Sequence, residues 1–212
     1  MTEKQHAQEI LRRFKKTYPV RGPFVAWKNP LELLIGTVLS AQTTDKKVNQ
    51  VTRGLFQKYK TAEDYAEADI ATLEEEIYSI GFYRVKAKFL KGIGEKLAAE
   101  FHGRVPERLD DLLTLPGVAK KTAHLILAKA FGKMTGIAVD THVLRLSPRL
   151  GLSQNTNPEK IGVDLEKWYD PPQFLEVNEY FITHGRKICV KNPKCSICPV
   201  KDLCPSAKKF MV

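Results

Sequence analysis

Apolar positions recur at helical spacing along most of the chain, and no stretch keeps the alternation of a half-buried strand. Residues 4–17 carry Ile10, Leu11 and Phe14 on one side of a basic sequence, the pattern of an amphipathic helix. A Pro-rich turn over 18–23 follows. Asn29-Pro30 reads as a cap with proline at the first helical position, and Leu31, Leu34, Ile35, Val38 and Leu39 then share one buried face. The polar run Ser40–Asp45 ends that helix and can cap the next, over 46–58. Further helices fall at 62–66, 69–79 and 84–101, with Gly81-Phe82-Tyr83 on a connection. Behind Arg104-Val105-Pro106, a helix leads into the Pro116-Gly117 turn. Beyond it Ala119, Ala123, Ile126, Leu127 and Ala130 mark the core stripe of another. Asp140 reads as the N-cap of a helix that Pro148 should end or kink. Asn157-Pro158 starts a helix to about Tyr169, and Pro171-Pro172 starts the last long one, through His184-Gly185. The pattern predicts an all-α chain, with 131–136 as the boundary between a middle and a C-terminal block.

Composition narrows the partners. The 212 residues hold 34 Lys and Arg against 24 Asp and Glu, a formal net charge of +10 and a pI near 9.4. Such a balance favours polyanions, nucleic acid first. No apolar run is long enough to span a bilayer, and Met1–His6 lacks the apolar stretch of a secretory signal. A soluble, cytoplasmic, basic protein without a membrane partner is expected.

Two stretches carry candidate chemistry. All 4 cysteines lie between Cys189 and Cys204, at spacing C-x5-C-x2-C-x5-C. In a reducing compartment such a run suits a metal site better than disulfides. Structural zinc usually shows two close pairs and this run has one, so spacing leaves zinc and an iron–sulfur cluster both open. The second stretch is Leu115–Ala123. Gly117 permits backbone that other residues avoid, so N–H groups there can approach a ligand closely. Lys121 falls opposite the core stripe, in the first helical turn. The helix N-terminus and Lys120 both work against a second positive charge beside them, which favours a nucleophilic amine. In that window alone, a lysine opposite a core stripe is more often a solvated surface residue.

Taken together, LSAQTTD at 39–45, GFYRVKA at 81–87, LPGVAKKTA at 115–123, VDTH at 139–142, HGR at 184–186 and the cysteine run resemble the endonuclease III branch of the helix-hairpin-helix DNA glycosylases. The resemblance covers nearly the whole chain. It implies two helical lobes with DNA between them: a six-helix barrel lobe over 25–134, holding the hairpin motif at about 107–131, and a discontinuous iron–sulfur lobe from 1–24 and 135–212. Lys121 matches the family's catalytic lysine and Asp140 its catalytic aspartate. Gln42 and Phe82 sit where family members fill the gap left by an extruded nucleotide. N–H groups of Gly117, Val118 and Ala119, with Lys120, would hold a phosphate. His142 joins these as a DNA contact, although a buried, hydrogen-bonded histidine is the ordinary reading of both His142 and His184. Cys189, Cys195, Cys198 and Cys204 match the ligands of one 4Fe–4S cluster per chain.

The implied function is base-excision repair. A monomeric, nucleoid-associated, bifunctional glycosylase and abasic-site lyase would remove oxidised pyrimidines from duplex DNA, through a desolvated Lys121 amine. One alternative of the same fold is a mismatch glycosylase acting on T·G or U·G, though such relatives generally lack lysine at the position of Lys121. An alternative of another class is a non-catalytic DNA-binding module with a structural zinc. The chain departs from the family pattern at four places. Five residues rather than six separate Cys189 from Cys195. Ala119 stands for a second hairpin glycine, Phe82 replaces an aliphatic wedge, and Pro148 interrupts a segment normally read as helix.

Overall fold

The computed structural model describes residues 1–19 and 24–210; positions 20–23 of the expected Pro-rich turn lie outside them. Those residues form helices, with no strand among them. The chain divides into two compact units, Gly22–Gly132 and Met1–Arg21 with Lys133–Val212.

Among the described residues the middle unit holds seven helical segments: α2 (Pro30–Ser40), α3 (Asp45–Lys58), α4 (Ala62–Glu67), α5 (Ile70–Glu76), α6 (Tyr83–Phe101), α7 (Leu109–Leu113) and α8 (Lys120–Phe131). Their starts are written locally. Asn29, Thr44, Thr61 and Asp69 each accept a hydrogen bond from a backbone N–H in the first turn they cap. The core gathers Leu34, Ile35 and Leu39 of α2, Leu73 of α5, Leu90, Ile93 and Leu97 of α6, and Ile126 and Leu127 of α8. α6 is the spine of this unit. At Gly94 a Cβ would stand 2.5 Å from the backbone nitrogen of Ala66 and 2.6 Å from the oxygen of Ala62. Only glycine lets α4 lie that close.

The second unit pairs α1 (Glu3–Thr17) with α9 (Thr141–Arg149), α10 (Pro158–Glu166) and α11 (Phe174–Lys187). Ile10, Phe14, Val143, Leu146, Ile161, Leu165, Val177 and Phe181 are buried together. Phe14 meets Phe181 edge-on, with ring centroids 5.8 Å apart. The Tyr169 hydroxyl donates to the Ala7 carbonyl at 3.0 Å. Pro148 lies in the last turn of α9, which ends at Arg149, so the bond its missing N–H forgoes falls at the end of the helix. The long helix expected from Pro171 begins instead at Phe174. The paired prolines form a short 3-10 turn, Pro171–Gln173, before it.

Candidate active site

The α7–turn–α8 hairpin packs on α6. A Cβ on Gly92 would meet Pro116 Cγ at 3.1 Å, and one on Gly117 would meet Phe89 Cδ2 at 2.6 Å. Gly117 has φ +73, backbone that favours glycine. Of the three backbone N–H groups expected to face a ligand, that of Val118 is already used. It donates to the Leu115 carbonyl at 3.2 Å, and the Val118 side chain is buried. That bond makes Val118 part of the turn. The Ala119 side chain places no cap on α8, so the first-turn N–H groups of that helix have no side-chain acceptor from its N-cap. Lys120 and Lys121 are exposed in this turn. The protein alone therefore does not desolvate the Lys121 amine, contrary to the expectation from sequence.

Gln42 and Phe82 occupy two adjacent connections of the same unit. Both have left-handed backbone, φ 54 and φ 59, without being glycine. Phe82 is 64 % exposed, whereas Tyr83 is half-buried against the unit's core and its ring meets that of the exposed Tyr78, with centroids 5.0 Å apart. Gln42 is exposed as well. Between the two connections lies the buried side chain of Lys86.

Asp140 belongs to the other unit. It caps α9, its Oδ1 accepting from the N–H groups of His142 and Val143, each at 2.9 Å. His142 is half-buried, and its Nδ1 lies 3.1 Å from an Arg145 guanidinium nitrogen. Gly185 of α11 makes room for both: a Cβ there would stand 2.7 Å from His142 Nδ1 and 3.0 Å from Arg145. The HGR and VDTH motifs thus interlock.

All four cysteines are free and line one pocket with Arg149, His184 and Phe210. His184 is buried, which holds its imidazole neutral, with a pKa lowered to about 4. Burial also keeps Tyr18 protonated, and its hydroxyl lies 2.7 Å from His184 Nδ1. Donation from Tyr18 leaves the proton of His184 on Nε2, 3.7 Å from the Cys198 sulfur.

A family model described as HhH-GPD superfamily base excision DNA repair protein matches residues 35–171. Endonuclease III of Synechocystis sp. is 47% identical over 208 residues, 98% of this chain and 95% of that protein. The chain belongs to the endonuclease III family. It is a base-excision DNA repair enzyme of the glycosylase and lyase kind. Among solved structures, a trapped endonuclease III–DNA covalent intermediate is 39% identical with a TM-score of 0.94, covering 100% of both chains. A thermostable thymine-DNA glycosylase is 26% identical with a TM-score of 0.85, over 98% of this chain and 97% of that one.

A second family model, the iron–sulfur binding domain of endonuclease III, matches residues 191–204. The cavity fits that cofactor. Among the described residues no three Cys, His, Asp or Glu side chains converge closely enough to hold a single metal ion. The thiols instead stand around a space, as ligands of a many-atom cluster must. Burial, then mutual repulsion between the thiols, raises the pKa of Cys198 to about 11, and burial also raises those of Cys195 and Cys204. Such thiolates need a positively charged centre among them, which iron supplies.

Sequence reasoning missed the residues that hold this loop in place. Arg145 Nε donates to the Cys189 carbonyl at 3.0 Å, and Arg149 donates to the Val190 carbonyl at 2.7 Å and the Lys191 carbonyl at 3.2 Å. Arg149 also lies over the Phe210 ring, 4.9 Å from its centroid. The only signal was their spacing four apart on the helix capped by Asp140. Lys191, Lys194 and Lys201 are exposed on the same loop.

Proposed function

We infer that this enzyme removes oxidised pyrimidines, such as thymine glycol, from duplex DNA, and cleaves the strand 3′ to the resulting abasic site. Lys121 is the nucleophile. The observation that carries the reading is its place: an exposed amine in the first turn of an uncapped helix, directly after the hairpin. The Gly117 and Ala119 N–H groups and Lys120 seat a backbone phosphate, which fixes register without reading sequence. Gln42 and Phe82 fill the gap left when the damaged nucleotide leaves the stack.

The Lys121 nitrogen forms a bond to the sugar C1′ while the glycosidic C–N bond breaks and the base departs with the electron pair. Ring opening gives a protonated imine. Loss of a 2′ proton then expels the 3′ phosphate by β-elimination. The amine must be uncharged to attack, and its burial comes from the bound DNA rather than from the protein. Asp140 Oδ2 makes no hydrogen bond among the described residues, since both cap bonds use Oδ1. That oxygen is free to stabilise positive charge on the sugar or to relay a proton. When bound, the cluster cross-links the C-terminal loop and performs no step of the excision. His142, held by Arg145, is a further DNA contact in this reading.

Borohydride reduction in the presence of an abasic duplex should trap a covalent adduct, and Lys121→Gln should abolish it while leaving duplex binding in place. An adduct that persists in Lys121→Gln would move the nucleophile elsewhere. Excision of thymine from T·G duplexes in preference to thymine glycol would favour the mismatch reading.

A further inference from the structure

Lys86 lies in the first turn and a half of α6, yet its side chain is 4 % exposed. Its ammonium donates three hydrogen bonds: to the Leu39 carbonyl at 2.9 Å, the Ala41 carbonyl at 2.6 Å and the Thr43 hydroxyl at 3.1 Å. All three partners are neutral oxygens, and burial lowers its pKa. A lysine buried without a carboxylate is costly, so a specific gain must offset it. Part of the gain is local. Leu39 and Ala41 end α2, where carbonyls are left without partners and a positive charge is welcome.

The rest lies in what the three oxygens surround. Ala41 and Thr43 flank Gln42, whose left-handed backbone costs a non-glycine residue about 1–2 kcal/mol. The backbone of Lys86 reaches the second connection: its N–H donates to the Phe82 carbonyl at 3.0 Å, the first helical bond of α6. Phe82 has the same left-handed backbone. The two connections also touch, since a Cβ on Gly81 would lie 3.7 Å from the Gln42 carbonyl and 4.0 Å from the Thr43 hydroxyl. Apart from Gln42 and Phe82, the one other positive-φ residue that is not glycine, among those described, is His102, which merely ends α6.

We propose that Lys86 is a positioning residue: one buried ammonium and its own N–H hold Gln42 and Phe82 in register, so that the two side chains enter the duplex as a single wedge. This rests on the reading of Gln42 and Phe82 as gap-filling residues. The wedge would be set before DNA arrives, and the energy of ordering two loops would not be subtracted from the energy of unstacking a nucleotide.

The test uses full-length, cluster-loaded protein and a duplex bearing 2-aminopurine opposite an abasic analogue, whose fluorescence rises when the stack is opened. Lys86→Met should lose most of that rise at saturating protein. Its single-turnover excision of thymine glycol from duplex should fall roughly tenfold or more, the rate equivalent of about 1.4 kcal/mol. Schiff-base trapping on a single-stranded abasic oligonucleotide, where nothing needs wedging, should stay within about twofold of wild type. Thr43→Val removes one acceptor and keeps the ammonium, so it should show a smaller loss of the same kind even where Lys86→Met folds poorly. Phe82→Ala should add little in the Lys86→Met background. Equal losses on single strand and duplex, or a full additional effect of Phe82→Ala, would overturn the role of Lys86. So would wild-type fluorescence in both variants, provided that Gln42→Ala and Phe82→Ala themselves suppress the signal. If those two alanine variants are inert, the gap-filling reading itself fails and this inference with it.

Discussion

Gly117→Ala separates the two physical demands on the hairpin. A residue with a side chain at φ +73 carries about 1–2 kcal/mol of backbone strain. The added Cβ would also stand 2.6 Å from Cδ2 and 3.0 Å from Cγ of Phe89, well inside contact. Phe89 is half-buried, and swinging its ring away from the turn should cost about 1–3 kcal/mol, the usual range for overpacking. The sum, roughly 2–5 kcal/mol, is a large share of the 5–15 kcal/mol that typically holds a domain together. Urea unfolding should show it as a lowered midpoint with an unchanged slope. Phe89→Ala isolates the steric part. The double variant should be more stable than the two single losses predict by about 1–3 kcal/mol, while the backbone part persists. A Gly117→Ala protein with the wild-type midpoint, or an additive cycle, would show that the turn does not press on α6 as described.

Two further outcomes are expected. Asp140→Ala removes the acceptor for two N–H groups of α9 and should lower stability by about 1 kcal/mol. Asp140→Asn keeps the cap and should unfold close to wild type, yet lose excision rate by roughly a hundredfold if the carboxylate acts on the sugar. Equal thermal losses in both variants would reduce the residue to a cap. Asp164 is held well below the usual carboxylate range, at about 2, by hydrogen bonds from Lys167, Ser153 and Asn155. Its folded-state pKa is depressed, so the stability it contributes is present above about pH 4 and is lost as pH falls toward 2. Asp164→Ala should therefore be less stable than wild type by about 1–2 kcal/mol at pH 6, with the gap shrinking at pH 3. A gap of constant size would refute the linkage.

Helix starts were legible because they are local. Asn29-Pro30, Asp140 and Asn157-Pro158 each announce a cap, and each side chain accepts the first-turn N–H groups it should. The left-handed backbone at Gln42 and Phe82 had no such sign, because glycine, the usual marker, is absent from both. Phe82 and Tyr83 are adjacent aromatics that the local sequence does not tell apart. Tyr83 is the first residue of α6 and packs on the core of the middle unit, which leaves Phe82 outside. Nothing in the GFYRVKA stretch marks Lys86 as buried, since its burial depends on where α2 ends, 45 positions or so away in the chain. The cysteine spacing could not choose between one ion and a cluster. The shape of the space the thiols surround is a tertiary property, set in part by Arg145 and Arg149.

The packing of α1 against α11 has a consequence for biosynthesis. Phe14 and Tyr18 find His184 and Phe181 only when the far end of the chain has been made. At ordinary translation speed, roughly ten to thirty seconds separate the appearance of the two partners, and the middle unit emerges whole in the interval. Through that time the first helix carries its apolar stripe uncovered on the ribosome. Metallation is a late event for the same reason, and a stalled or clipped nascent chain would hold a finished middle unit tethered to an unpaired, sticky leader.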